Sequence, residues 1–263
     1  MILALSFPQF DPVALQIGPL AVRWYALAYL AGIIGGWHYA MAIAKRLGGA
    51  VTPDHIDRAI TWITFGIILG GRLGYVLFYK PEFYFANPGE IVKIWHGGMS
   101  FHGGMLGVIL AIILYCRKYR LDMWRLLDIA AIVTPIGLFF GRIANFINGE
   151  LYGRVTDAAI GMVFPNGGPE PRHPSQLYEA AGEGLLLFLI LNYLLYRTKA
   201  SQHPGKISGW FLTIYGAVRF IIEFFREPDD FLGLYGNLLS HGQLLCLPMI
   251  ALGIYLIRRK SKP

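Results

Sequence analysis

The sequence predicts an all-α, polytopic integral membrane protein with seven transmembrane helices and a small loop or head region outside the membrane. Three observations point there. The 263-residue chain is 55% hydrophobic and only 15% charged, with a mean hydropathy of +0.49, whereas a soluble domain carries roughly 25% charged residues. Apolar runs recur at the length, about 20 residues, that crosses a bilayer. The basic residues gather in alternate short connections between those runs, as membrane topology requires.

Taken in order, the spans lie near 20–41, 58–79, 98–116, 125–147, 176–196, 208–226 and 239–257. No linker or low-complexity tail separates them, so residues 1–263 read as a single membrane-embedded domain. No internal repeat is visible, which argues against an inverted-repeat transporter. The opening stretch MILALSFPQFDP lacks a basic region and a small-residue cleavage site, so no removable signal peptide is expected there.

Orientation follows from lysine and arginine. One set of connections, together with the C-terminal tail, holds 14 of the 23 basic residues: Lys45, Arg46, Arg58; Arg117, Lys118, Arg120, Arg125; Arg197, Lys199, Lys206; and Arg258, Arg259, Lys260, Lys262. The opposite connections hold Lys80, Lys93, Arg154, Arg172 and Arg226. The richer set belongs in the cytoplasm, which puts the N-terminus outside and the C-terminus inside. The net charge of +7 is accounted for in this way, and nucleic acid is not an expected partner.

Small residues mark helix contacts. Gly32 and Gly36, then Gly66, Gly70 and Gly74, then Gly103 and Gly107 stand at the spacing that lets helices approach closely. Trp24, Trp37, Trp95 and Trp210 lie near span ends, as interfacial anchors do. The two cysteines, Cys116 and Cys246, sit in apolar runs with no metal-binding spacing and read as small buried hydrophobes. No nucleophilic cysteine of the chain's own, no metal and no nucleotide motif is expected.

The polar residues inside the spans carry the functional signal, because charge at membrane depth is costly and defaults to a functional role. Placed by depth, nearly all converge on the outer half. They are Arg23 and Tyr25, Arg72, His102, Arg142 and Asn145, Glu179 and Glu183, and Tyr215, Arg219, Glu223 and Arg226. The inner half holds little besides Asp128. Tyr215, Arg219, Glu223 and Arg226 are spaced to form one stripe on a helix. Arginine outnumbers carboxylate in this set. That favours a bound anion over an internal ion-pair ladder, since the guanidinium fork suits phosphate.

Two further segments stand out. In WHGGMSFHGG, residues 95–104, glycines flank His102 and would allow close backbone approach to a ligand, while His96 lies further into the loop. Residues 148–175 form a long, Gly- and Pro-bearing outer connection, of a length that is usually functional or disordered. It could form a cap that contacts a second substrate. Ser175 near His173 lacks a nucleophile elbow and does not read as a hydrolase site.

The stretch GRIANFINGELYG, residues 141–153, resembles the signature G-R-x-[GA]-N-F-x-N-x-E-x-x-G of the bacterial prolipoprotein diacylglyceryl transferases. Gly141, Arg142, Ala144, Asn145, Phe146, Asn148, Glu150 and Gly153 fill every fixed position. HGGMSFHGG and YGAVRFIIEFFREPD (215–229) are similar to the same family, and their order fits over essentially the whole chain. The resemblance implies transfer of the diacylglyceryl group of phosphatidylglycerol to the lipobox cysteine thiol of a preprolipoprotein. A thioether forms and glycerol phosphate leaves, at the outer face of the bacterial cytoplasmic (inner) membrane. The partners implied are phosphatidylglycerol, the signal peptide that bears the lipobox, and the surrounding lipids. No cofactor is implied.

Carried onto this sequence, the resemblance gives catalytic roles to His102, Arg142, Glu150 and Arg219. It gives phosphatidylglycerol contacts to Tyr25, Arg142, Asn145, Gly153, Tyr215, Arg219, Glu223 and Arg226. The thiol needs activation, since a free cysteine has a pKa of about 8.5. Either His102 or the electropositive pocket itself could supply it. A transporter or a non-catalytic binder of anionic lipid would also bury charge. A transport path, however, needs polar residues on both sides, and neither alternative explains the full signature.

Overall fold

A computed structural model describes residues 5–8, 10–11, 13–18, 20–227, 234–235 and 239–259. Residues 1–4 of the opening stretch, residues 228 and 229 of the YGAVRFIIEFFREPD stretch, and Lys260 and Lys262 of the tail lie outside the described residues. The chain is mostly helical and forms two compact units, one of Met1–Tyr39 with Ala130–Pro263, the other of Ala40–Ile129.

In order, the long helices are α1 (Trp24–Leu47), α2 (Pro53–Phe78), a short α3 (Pro81–Ala86), α4 (Phe101–Tyr119) and α5 (Met123–Ile147). They are followed by α6 (Ser175–Glu179), which runs through a π-helical turn, Ala180–Leu186, into α7 (Leu187–Arg197), then α8 (Lys206–Ile222) and α9 (His241–Arg258). A helix therefore stands in each of the seven places expected. Four are long and apolar enough to cross a membrane: Trp24–Leu47, Pro53–Phe78, Met123–Ile147 and Ser175–Arg197, and Gly242–Arg258 is a shorter apolar helix. These helices and α4 carry large apolar side chains such as Ile33, Phe65, Leu69, Leu106 and Leu189, all more than half exposed. Exposed apolar area on this scale is what a lipid-facing surface looks like.

Two boundaries and the interior of one span differ from expectation. Residues 20–23 are not the start of a span. They form strand β3 (Leu20–Arg23), paired antiparallel with β2 (Val13–Ile17), and Arg23 pairs with Val13 in that ribbon. The apolar run there alternates with strand pairing, and the helix begins only at Trp24. The helix of the sixth expected span, α8, stops at Ile222. Residues 223–225 turn, and Arg226 forms an antiparallel bridge with Gly153, so the four-residue stripe is not one helical face. The helix of the fifth expected span is interrupted by the π turn between α6 and α7, a feature that clusters at functional sites. Two more strand pairs occur: β1 (Leu5–Ser6) runs parallel to β4 (Met162–Val163), and β5 (Leu234–Tyr235) pairs with β6 (Leu239–Ser240).

In the unit Ala40–Ile129 the glycine spacing is explained by packing. A Cβ on Gly66 would meet the Gly107 carbonyl at 2.5 Å, and one on Gly74 would meet the Gly103 Cα at 2.7 Å. Gly70 abuts the Gly103 carbonyl. Helices α2 and α4 thus touch backbone to backbone, as small residues permit in membranes. Thr52 caps α2 with a capping box to His55, and Ser100 caps α4 by accepting from the Gly103 N–H at 3.2 Å. Arg72 is buried and satisfies its whole guanidinium with main chain. Its Nε donates to Ile91 O at 2.8 Å, Nη1 to Gly97 O and to Gly98 O at 3.0 Å, and Nη2 to Glu90 O at 2.6 Å and Lys93 O at 3.2 Å. It clasps the 90–98 loop.

Candidate active site

The second unit, Met1–Tyr39 with Ala130–Pro263, assembles the charged residues. The end of α5 presents Arg142 and Asn145. The start of the fifth span presents Glu179 and, one turn on, Glu183. Helix α8 presents Tyr215 and Arg219 and is closed by Glu223, and Arg226 follows on the bridge to Gly153.

These side chains interlock. Glu179, fully buried, accepts from Arg219 Nη1 and from Arg226 Nη1 at 2.7 Å, and its second oxygen lies 3.4 Å from Arg142 Nε. Glu183, also fully buried, lies 3.5 Å from Arg219 Nη1 and 4.0 Å from Arg142 Nη2. Glu223 lies 2.8 Å from Arg219 Nη2 and 3.4 Å from Arg226 Nε, and it accepts from Ser240 Oγ at 3.0 Å. Gly242 leaves room for that carboxylate, since a Cβ there would stand 2.8 Å from Glu223 Oε1.

Beside the mesh runs a second, polar chain. Glu150 Oε1 accepts from Asn145 Nδ2 at 2.8 Å and from Asn148 Nδ2 at 3.3 Å, and Arg142 Nη1 approaches Asn145 Oδ1 at 3.5 Å. Gln176 Nε2 holds the Glu150 carbonyl at 2.6 Å. Tyr25 donates to Tyr29 at 3.0 Å and lies within electrostatic reach of Glu150 and Arg142. Tyr215 stacks on Phe211 within reach of Glu183 and Arg219.

The 148–175 connection is anchored rather than loose. Gly153 N–H donates to His173 O at 2.8 Å, Arg154 N–H to Phe225 O at 2.9 Å, and Arg154 Nε to Arg226 O at 2.7 Å. Arg172 pairs with Glu227, and that carboxylate holds its guanidinium above the usual range. Burial against Tyr178 and Phe225 pushes the His173 imidazole pKa down. Phe7 seats on Phe146 and Phe164 with ring centroids at 5.3 and 5.2 Å, which ties the N-terminal segment to this cap.

One expectation is corrected. The sequence suggests an arginine excess in the group of Arg142, Arg219, Glu223 and Arg226, but Glu179 and Glu183 join the same mesh and offset it. Arg23 lies on strand β3, and Arg72 spends its donors on the 90–98 loop. What remains is three arginines facing three carboxylates. His102 sits in the first turn of α4, in the other unit, with its ring exposed. The glycines after it, Gly103 and Gly107, are occupied by packing against α2 rather than open to a ligand. Sequence reading placed Glu179 and Glu183 among the polar residues at depth but gave them no role. Ser240, Gly242 and Gln176 were missed. Only the i, i+4 spacing of Glu179 and Glu183 was available as a signal.

Fold and site together define a helical membrane protein with a buried arginine–carboxylate mesh set among its apolar helices. Comparison with known proteins makes this specific. Residues 12–259 match the family described as prolipoprotein diacylglyceryl transferase. A protein of Rhodospirillum rubrum named phosphatidylglycerol–prolipoprotein diacylglyceryl transferase is 54% identical, covering 100% of this chain and 97% of its own. Proteins of the same name from Nitrobacter hamburgensis and Rickettsia rickettsii are 54% and 53% identical, covering 98% and 96% of this chain and 90% and 98% of theirs. The chain belongs to the prolipoprotein diacylglyceryl transferase family, and it is a transferase enzyme.

Proposed function

We infer that this protein transfers the diacylglyceryl group of phosphatidylglycerol to the lipobox cysteine of preprolipoproteins, the first step of bacterial lipoprotein maturation. The chain works as one membrane-embedded domain of the inner membrane. It has seven spans, the N-terminus outside, the C-terminus inside, and the site toward the outer leaflet. The lysine and arginine distribution supports that topology.

The chemistry balances without a cofactor. The substrate thiol gives up its proton, and the sulfur bonds to the terminal glyceryl carbon. The C–O bond to phosphate breaks, and its electron pair stays on the phosphate oxygen. The diester thus becomes a monoester with one more negative charge, and glycerol phosphate leaves. Donors fixed toward that developing charge lower the barrier. Arg142 is assigned to it. The carrying observation is that Arg142 is the loosest arginine of the mesh: its contacts are all 3.4 Å or longer, and it is 21% exposed against 16% for Arg219 and 13% for Arg226. Its terminal nitrogens therefore keep donor capacity for phosphate.

Arg219 bears on the same phosphate from within its carboxylate partners. Asn145 and Glu150 orient the glycerol head group or Arg142. Tyr25, Tyr215, Glu223, Arg226 and Gly153 complete the lipid site, and His102, the one imidazole among the assigned residues, is assigned to take the thiol proton.

A reconstituted assay tests this reading. Purified protein, phosphatidylglycerol and a lipobox peptide should give a diacylglyceryl mass gain on cysteine with equal glycerol phosphate release. Arg142→Ala should lower turnover by about 10²–10³-fold, the range for losing one such donor. Folded wild-type protein that transfers nothing would sink the assignment.

A further inference from the structure

One carboxylate touches every arginine of the mesh. Glu179 is fully buried, and it contacts Arg219 Nη1, Arg226 Nη1 at 2.7 Å and Arg142 Nε at 3.4 Å. Among the described residues no other carboxylate does this: Glu183 lacks Arg226, and Glu223 lacks Arg142. The three arginines come from different places in the chain, namely the end of α5, the last turn of α8 and the bridge after it. Glu179 itself closes α6 where the helix widens into the π turn. Among the described residues its second oxygen, Oε2, has no hydrogen-bond partner. It faces Arg142 Nε, beyond the 2.7–3.2 Å of an ordinary hydrogen bond.

We propose that Glu179 is the positioning residue of this site: it orients Arg142 by its Nε side and balances the charge of the three arginines until an anionic lipid arrives. This rests on the transferase reading. Engaging Nε leaves the two terminal nitrogens of Arg142, the edge that grips phosphate bidentately, turned away from Glu179. The guanidinium contacts Asn145 Oδ1 at 3.5 Å and Glu183 at 4.0 Å along that edge, distances a phosphate oxygen can improve on. Equal numbers of guanidiniums and carboxylates also keep the empty site from trapping phosphate permanently. The charge created at the transition state is then new charge, met by arginines already aimed. Glu179 acts through the arginines and touches no substrate.

The test compares wild type, Glu179→Gln and Glu179→Asp in the reconstituted assay. KM for phosphatidylglycerol, kcat and inhibition by glycerol phosphate are read separately, with a melting curve for each protein. Glu179→Gln removes one negative charge from among three arginines. Its KM and the inhibition constant should both fall by roughly tenfold while kcat falls by about a hundredfold, the signature of ground-state trapping. A merely structural role would lower kcat and leave KM and the inhibition constant unchanged, and that result overturns the proposal.

Should Glu179→Gln fail to fold, Glu179→Asp decides. It keeps the charge but withdraws the carboxylate, so kcat should fall about tenfold with KM unchanged. Wild-type kcat in that variant overturns the proposal. Calorimetric binding of short-chain phosphatidylglycerol, without peptide, separates the two readings. Wild type that binds but never transfers defeats the transferase reading. Glu179→Gln, or Glu179→Asp as its replacement, also reports here: Gln should bind roughly tenfold tighter than wild type and Asp equally well, and equal binding by Gln or weakened binding by Asp defeats this one.

Discussion

Replacing Gly153 by alanine tests how the outer connection is joined to the mesh. A Cβ at Gly153 would abut the Phe225 carbonyl oxygen and stand 2.8 Å from His173 Cβ and 2.9 Å from His173 O. Two of these neighbours are main-chain atoms and the third is a Cβ, so none can rotate aside. Overpacking costs about 1–3 kcal/mol. The clash also pries apart two hydrogen bonds, Gly153 N–H to His173 O at 2.8 Å and Arg154 N–H to Phe225 O at 2.9 Å, worth about 1 kcal/mol each. Together these come to about 3–5 kcal/mol, or a melting temperature lower by roughly 10 °C. Turnover should fall at least about tenfold, because Arg226 bridges to Gly153 and holds Glu179. The control is Gly141→Ala, where a new Cβ meets nothing within 4 Å. That variant should melt at or above wild type. The assay is a melting curve in detergent followed by the transfer reaction. Gly153→Ala with wild-type melting and turnover would refute the reasoning.

Other variants probe the rest of the molecule. Arg72→Lys replaces five guanidinium bonds to main chain with at most three from one nitrogen. It should cost about 2–3 kcal/mol and speed amide exchange across residues 90–98; unchanged protection there would show that Arg72 is not the clasp. Gly70→Ala places a Cβ on the Gly103 carbonyl and 2.8 Å from Gly107 Cα, so α2 and α4 must separate and stability should drop by at least about 1–3 kcal/mol. Wild-type melting would contradict the close contact. The pH response of the cap follows from His173. Burial lowers its folded pKa below the unfolded value of about 6.5. The stability gained by keeping it neutral is therefore complete above about pH 6.5 and is lost as pH falls through the folded pKa. Wild type should lose more melting temperature than His173→Asn between about pH 7 and 5.5; parallel curves would exclude His173 as the cause.

Much of the fold was legible because its signals are local. Apolar run length marked the long helices, four of which are long and apolar enough to cross a membrane, and glycine spacing marked the α2–α4 contact. The polar ends of α5 and α8 were also visible, whereas the cap at Ser100 was read only from the structure. Boundaries failed where a distant partner intervened: β2 drew residues 20–23 into a ribbon, and Gly153 drew Arg226 off the end of α8. The partners of Arg23 and Arg72 were hidden for the same reason. Apolar context says that an arginine is buried, but not whether it faces a ligand or a turn of its own main chain.

The sequence by itself determined the class, the apolar runs and the family, since composition, hydropathy and an uninterrupted motif are properties of short windows. Tertiary structure decided how the arginines are used. Arg219 and Arg226 meet Glu179 across 40 and 47 residues of chain, and Glu223 meets Ser240 across 17. Ion pairing depends on distance in space. No periodicity in the sequence encodes which carboxylate will face which guanidinium, or that Arg142 would be the one held at arm's length.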